Sequence, residues 1–298
     1  MKKTFGGIKV YWMLIVLGLC LLGIIFGSFW DFNLSNAIAK PNNGFGVFFE
    51  SFGEALGYAM VPIAGTLIFM GLKDDRPIGL KILGWIILIA SIGIPTYILG
   101  HAATKPYTYV LPIYWAYPIA FVIMTLSSMF TYFLAGVDDK NVLLKAGLTI
   151  LIAMLIQLAI VTVLKGLAER PRYRYLIVSS NATAFRDWWN WDPSNFMGMI
   201  LKGEDGLKSF PSGHTATSSV CFLLPLLAST KPNKLFKGEE AVLFILGGLY
   251  TLIIAYARIS AGAHFLSDVS FGALIGSTTS FLTVFIAYQP KKEAVKAA

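Results

Sequence analysis

The stretch VLLKAGLTILIAMLIQLAIVTVL, residues 142–164, decides the fold. Apart from Lys145, Gln157 and two threonines, its side chains are apolar or small. A bilayer core takes about 20 apolar residues as one helix, because each backbone N–H and C=O must be bonded within the segment. A run of this length therefore reads as a membrane span. Runs of the same kind lie at about 10–30, 54–72, 79–100, 113–136, 212–230, 240–259 and 263–288, which gives eight candidate spans. The fold class expected is all-α, a polytopic transmembrane helix bundle. Gly, Ser and Thr in the second and sixth runs suit close helix packing in lipid.

The whole chain agrees with that reading. Of its 298 residues 56% are hydrophobic and 13% charged, with a mean hydropathy of +0.68. A soluble domain carries about a quarter charged residues. The formal charge of +8 raises nucleic acid as a partner, and the apolar excess argues against it. Cys20 and Cys221 each sit in a long apolar run and read as buried thiols. The apolar run after the basic residues 1–9 is too long for a signal h-region, so no cleavable leader is expected.

Lys and Arg set the expected orientation. With the N-terminus inside, the cytoplasmic segments hold Lys2, Lys3, Lys9, Lys73, Arg76, Lys81, Lys140, Lys145, Lys231, Lys234, Lys237, Lys291, Lys292 and Lys296. The short outer loops hold only Lys40 and Lys105. Both termini come out cytoplasmic. The remaining basic residues gather in the outer segment 165–211 and at Arg258, where an anionic substrate explains them better than topology does. Trp188, Trp189, Trp191, Phe185 and Phe196 in that segment read as an interfacial aromatic belt. The expected organisation is N-terminal spans over 1–78, a six-span core over 79–290 and a tail over 291–298.

The polar residues near span ends carry the chemistry. His214 closes Ser209-Phe210-Pro211-Ser212-Gly213-His214, where the sixth run begins. Pro suits a first helical turn, and the Ser212 and Gly213 N–H groups at a helix N-terminus make an anion site. His264 opens the eighth run with Asp268 four residues on, which places both side chains on one helical face, so that the carboxylate fixes the imidazole tautomer. Arg258 precedes His264 across a short Ser-Ala-Gly-Ala turn, and Lys165 and Arg172 flank the exit of the fifth run. Three cations, a helix N-terminus, two histidines and a carboxylate on one face suit phosphoryl transfer. No Cys/His or carboxylate cluster has metal-ligand spacing, so no metal or other cofactor is expected. A lone interfacial histidine is usually a solvated polar residue, and His101 is read that way. Arg170 and Arg174 are read as surface residues. A transporter with an Arg258–His264–Asp268 ion path also explains polar groups in spans, but not the gathering of cations on one face.

Lys165-x6-Arg172, Pro211-Ser212-Gly213-His214 and Arg258-x5-His264-x3-Asp268 resemble, in order and spacing, the three signatures of the type 2 phosphatidic acid phosphatase superfamily. The resemblance covers about 140–290, and residues 1–110 resemble nothing recognised. Tyr173 stands where the first signature usually has Pro, and Ala257 where the third usually has Ser. The resemblance implies a metal-independent phosphatase acting on a lipid phosphate at the outer leaflet. Undecaprenyl pyrophosphate, phosphatidylglycerophosphate and phosphatidic acid are its candidate substrates. It implies His264 as nucleophile oriented by Asp268, His214 as acid and then base, and Lys165, Arg172, Ser212, Gly213 and Arg258 as the phosphate site. A phosphotransferase passing the group to another lipid fits the same residues.

Overall fold

The computed structural model describes residues 4–74, 76–104, 111–135, 139–202, 205–230 and 238–289; the 291–298 tail lies outside them. A short hairpin, β1 (Thr4–Phe5) and β2 (Ile8–Lys9), leads into α1 (Val10–Ile38). There follow α2 (Gly44–Phe52), α3 (Ala55–Leu72), α4 (Ile78–Ala102), α5 (Ile113–Leu134) and α6 (Lys140–Ala168). The segment after α6 holds the short helices α7 (Tyr173–Val178) and α8 (Phe196–Lys202). Then come α9 (Gly213–Ser219), α10 (Leu226–Ser229), α11 (Glu240–Ser260) and α12 (Leu266–Ala287). The protein is an all-α polytopic bundle. Among the described residues seven helical runs are long and apolar enough to cross a membrane: Val10–Ile38, Gly44–Leu72, Ile78–Ala102, Ile113–Leu134, Lys140–Val178, Glu240–Ser260 and Leu266–Ala287.

The eighth candidate, 212–230, differs from the expectation of one continuous helix. It is α9, a 3₁₀ stretch Val220–Leu223, and α10. Its hydroxyls compete with the helical ladder: Ser218 and Ser219 both donate to the Thr215 carbonyl, at 2.9 and 2.7 Å. Pro225 then removes a backbone donor. The segment survives in pieces because it is buried by its neighbours, with Ala216, Val220, Cys221 and Leu223 fully covered.

The outer helices bury only one stripe. Leu14, Leu22, Ile25 and Phe29 of α1 and Trp85, Ile89 and Ile94 of α4 are exposed, apolar surface that suits lipid and not water. Inside, α12 and α9 approach to backbone contact. A Cβ at Gly272 would lie 2.4 Å from the Ser212 carbonyl, and one at Gly276 would lie 2.2 Å from that of Ala216, so both positions need glycine. This contact fixes His214 and His264 relative to one another, since each stands at the start of one of the two helices.

The up-and-down course of the chain sorts the ends of the helices onto two faces. On one face are the ends of α1, α4, α6 and α11 and the starts of α3, α9 and α12, joined by contacts such as Asn43 to the Ser260 carbonyl at 2.9 Å. The opposite face holds Lys73 on the Tyr132 hydroxyl, Arg76 on Asn141, Lys140 near Asp74 and Lys145 over the Tyr288 ring. Lys73, Arg76, Lys140 and Lys145, four of the basic residues used for orientation, therefore share a face, and the candidate chemistry lies on the other.

Candidate active site

Lys165, Arg172, Gly213, His214, Arg258 and His264 line one cavity of about 320 Å³, closed from the N-terminal side by Glu50, Glu54 and Tyr58. Arg258 stands in the last turn of α11, 1% exposed. The chain then folds back, with the N–H groups of Ala263 and His264 both donating to the Arg258 carbonyl at 3.1 and 3.2 Å. The turn read from the sequence therefore brings Arg258 and His264 together. Arg172 follows the end of α6; its Nε and Nη2 donate to the Asp205 backbone and carboxylate at 2.8 and 3.0 Å. Its Nη1 has no partner among the described residues, nor do Nε and Nη1 of Arg258, although all three are buried. Buried guanidinium N–H groups are nearly always satisfied, so these three call for a partner that the described residues do not supply.

His264 is 1% exposed, and its Nδ1 lies 2.5 Å from the Ser209 carbonyl. A carbonyl only accepts, so Nδ1 carries the proton and Nε2 keeps its lone pair. Burial, and then the neighbouring Arg172, Lys165 and Arg258, hold this imidazole well below its ordinary range, in the neutral form a nucleophile needs. His214 donates from Nε2 to the Glu50 carbonyl at 3.1 Å, and its Nδ1 faces the Glu54 carboxylate at 3.7 Å. Lys165 donates to the Lys208 carbonyl at 2.7 Å, beside the two histidines.

Three expectations need correction. Asp268 does not hold His264 directly: its Oδ2 is 3.9 Å from Nδ1 and accepts instead from the Ser209 hydroxyl and the Phe265 N–H, at 2.5 and 2.8 Å. The i,i+4 rule applies within a helix, and His264 precedes α12, which begins at Leu266. Asp268 reaches the imidazole one step removed, through Ser209. Ser212 does not line the cavity; its hydroxyl accepts from the Thr215 N–H and hydroxyl and caps α9, leaving Gly213 beside the cations. Arg170 and Arg174 are not surface residues. Arg170 is 1% exposed and bonds Asp31, Asp268 and Ser267; Arg174 grips Glu50 with two bonds of 2.6 and 2.8 Å.

The aromatic segment also behaves differently from a belt. Phe185 packs on Phe265 and Phe32, and Trp188 packs on Phe210 and Phe271, so these rings pin the loop to α12 and α1. Trp189 and Trp191 remain exposed. His101 is exposed as expected, stacks with Tyr97, and also lines the cavity. Sequence reasoning passed over Asp31, Glu50 and Glu54, single carboxylates in or beside apolar runs. Glu50 reaches Arg258 Nη2 at 3.3 Å as well as Arg174.

A bundle of membrane-spanning length thus carries, at one face, a cavity lined by buried cations and two histidines, and known proteins share part of this sequence. Residues 146–292 match the family model of the PAP2 superfamily, and the matched stretch holds all three signatures. The chain is 33% identical over 96 residues to an undecaprenyl-diphosphatase of Sulfolobus acidocaldarius, covering 32% of this chain and 42% of that protein. The chain thus spans less than half the length of the relative it matches. No solved structure matches it.

Proposed function

We propose that the chain is a lipid phosphatase that hydrolyses a lipid phosphate or diphosphate through a phosphohistidine on His264. The observation that carries this is the group of buried, partnerless N–H donors of Arg172 and Arg258 in one cavity with two histidines. Those donors, with Lys165 and the Gly213 backbone, hold the phosphoryl oxygens and stabilise the charge that spreads over them in the transition state. His264 Nε2 attacks phosphorus, the P–O bond to the leaving group breaks, and His214, which takes up a proton at Nδ1 beside Glu54 once the bound phosphate offsets the surrounding cations, gives that proton to the departing oxygen. Water then attacks the phosphohistidine, His214 takes the proton, and phosphate leaves with His264 restored. The similarity to an undecaprenyl-diphosphatase favours an isoprenyl diphosphate among the candidate substrates. The charges that anchor the substrate are Lys and Arg, so turnover is expected to persist in excess EDTA. Complete loss that magnesium restores would contradict this.

We place the cavity at the outer leaflet and both termini in the cytoplasm, because Lys73, Arg76, Lys140 and Lys145 share the opposite face. Asn195 and Glu239 are both exposed, and Cys20 and Cys221 are buried. In intact cells an impermeant thiol reagent is expected to label Asn195→Cys and to leave Glu239→Cys unlabelled until the membrane is opened. The reverse pattern would invert the topology. Assignment of the six-span core to 79–290 is retained as part of this proposal, with carboxylates from the preceding residues facing its site.

A further inference from the structure

We propose that Asp31, in the first span, is a positioning residue for His264, so that α1 serves the chemistry and is more than an anchor. The inference rests on the phosphatase reading and concerns a helix outside the matched residues 146–292.

A carboxylate inside an apolar helix is costly unless it is paired, and Asp31 is 4% exposed. Its Oδ1 accepts from the Ser267 N–H at 2.9 Å; its Oδ2 accepts from the Ser267 hydroxyl and, at 2.9 Å, from Arg170 Nη2. Arg170 Nη1 donates onward to Asp268 Oδ1 at 2.6 Å. Asp268 Oδ2 accepts from the Ser209 hydroxyl, and the Ser209 carbonyl holds His264 Nδ1. One unbroken line of hydrogen bonds thus runs from α1 to the nucleophile. A shorter tie runs through Ser267, three residues beyond His264.

The packing of α1 is shaped for this contact. Gly27 lies one turn before Asp31, and a Cβ there would meet the Ser267 nitrogen at 2.7 Å and Asp31 Oδ1 at 2.8 Å. Any larger residue pushes α1 away from Ser267 and opens the pair. Two further bonds join α1 to the site segment: Tyr173 donates to Asn36 at 2.7 Å, and Trp188 donates to Ser28 at 2.9 Å. A hydrophobic anchor needs none of these. In a buried network of this kind the carboxylate fixes the guanidinium, the guanidinium fixes Asp268, and the imidazole angle follows.

The test uses the full chain in detergent and measures kcat, KM, thermal unfolding, and the separate rates of phosphoenzyme formation and hydrolysis. Asp31→Asn keeps one oxygen for the Ser267 hydroxyl and Arg170 and sets an amide NH2 against the Ser267 N–H, so the unfolding measurement shows first whether it folds. Its kcat should drop about 10- to 100-fold, since a small misplacement of a reacting group costs up to about that much. KM should change by less than about threefold, because the phosphate-binding cations are untouched. The loss should fall mainly on phosphoenzyme formation, in which neutral His264 must meet phosphorus in line, and hydrolysis, in which His264 only departs, should slow less. Gly27→Val should reproduce the split. A folded Asp31→Asn with kcat within about twofold of wild type, or with both steps slowed equally, overturns the proposal. If Asp31→Asn does not fold, Ser267→Ala decides: slower formation supports the proposal, and unchanged formation overturns it. Wild-type protein inactive on every lipid phosphate and diphosphate would refute the phosphatase reading itself.

Discussion

Replacing His264 by alanine is expected to lower turnover by about four orders of magnitude or more, because the nucleophile is removed and nothing else in the cavity substitutes for it. Lys165, Arg172 and Arg258 remain, so the variant should still bind phosphate and inhibitory oxyanions. His214→Ala should behave differently. It removes the proton donor to the leaving oxygen, which matters most for a poor leaving group. A lipid alkoxide should therefore be hydrolysed very slowly, while an aryl phosphate, which leaves without a proton, should be partly spared. Steady-state rates for both substrates with both variants check this. If His214→Ala loses both substrates equally and His264→Ala spares the aryl phosphate, the two roles are exchanged.

The largest effect on stability is expected at Arg170. Its guanidinium lies between Asp31 and Asp268 with side-chain exposures of 1%, 3% and 0%. Arg170→Met leaves two buried carboxylates without a counter-charge, and breaking a buried pair this way costs about 3–5 kcal/mol. Arg186 and Asp192 make the comparison: their side chains are 33% and 41% exposed, and an exposed pair is worth about 1 kcal/mol or less. Unfolding of Arg170→Met and Arg186→Ala in mixed detergent should separate the two clearly. Combining Arg170→Met with Asp31→Asn should cost less than the sum of the single changes, since the second removes a charge that the first left stranded. Additive losses would mean that the two residues do not act as one network.

The bundle and the cations were legible in the sequence because both leave periodic or spaced signals. Apolar runs of bilayer length need no tertiary knowledge, and Lys165 and Arg172, or Arg258 and His264, are close in the chain. The segmented span was harder, since Ser218, Ser219 and Pro225 weaken a helix only through local geometry that an apolar count overlooks. The contact that orients His264 was invisible: it comes from the backbone carbonyl of Ser209, and any residue has a carbonyl. Arg170 was misread because its partners come from 139 and 98 residues away in sequence. Asp31 did leave a signal. It stands one residue beyond the run read at 10–30, the helix continues past it to Ile38, and a carboxylate within a span is functional by default. Glu50 lies in the short helix α2, before the run read at 54–72, and only the fold brings it to Arg258 and Arg174.

The central claim is a covalent phosphohistidine on His264, and rapid-quench trapping with lipid labelled in its terminal phosphate tests it most directly. Label that is acid-labile, base-stable, maps to the peptide containing His264, and disappears in His264→Ala is the result predicted. A fully active enzyme that never carries covalent phosphate within the time of one turnover, or carries it on His214, would contradict the account.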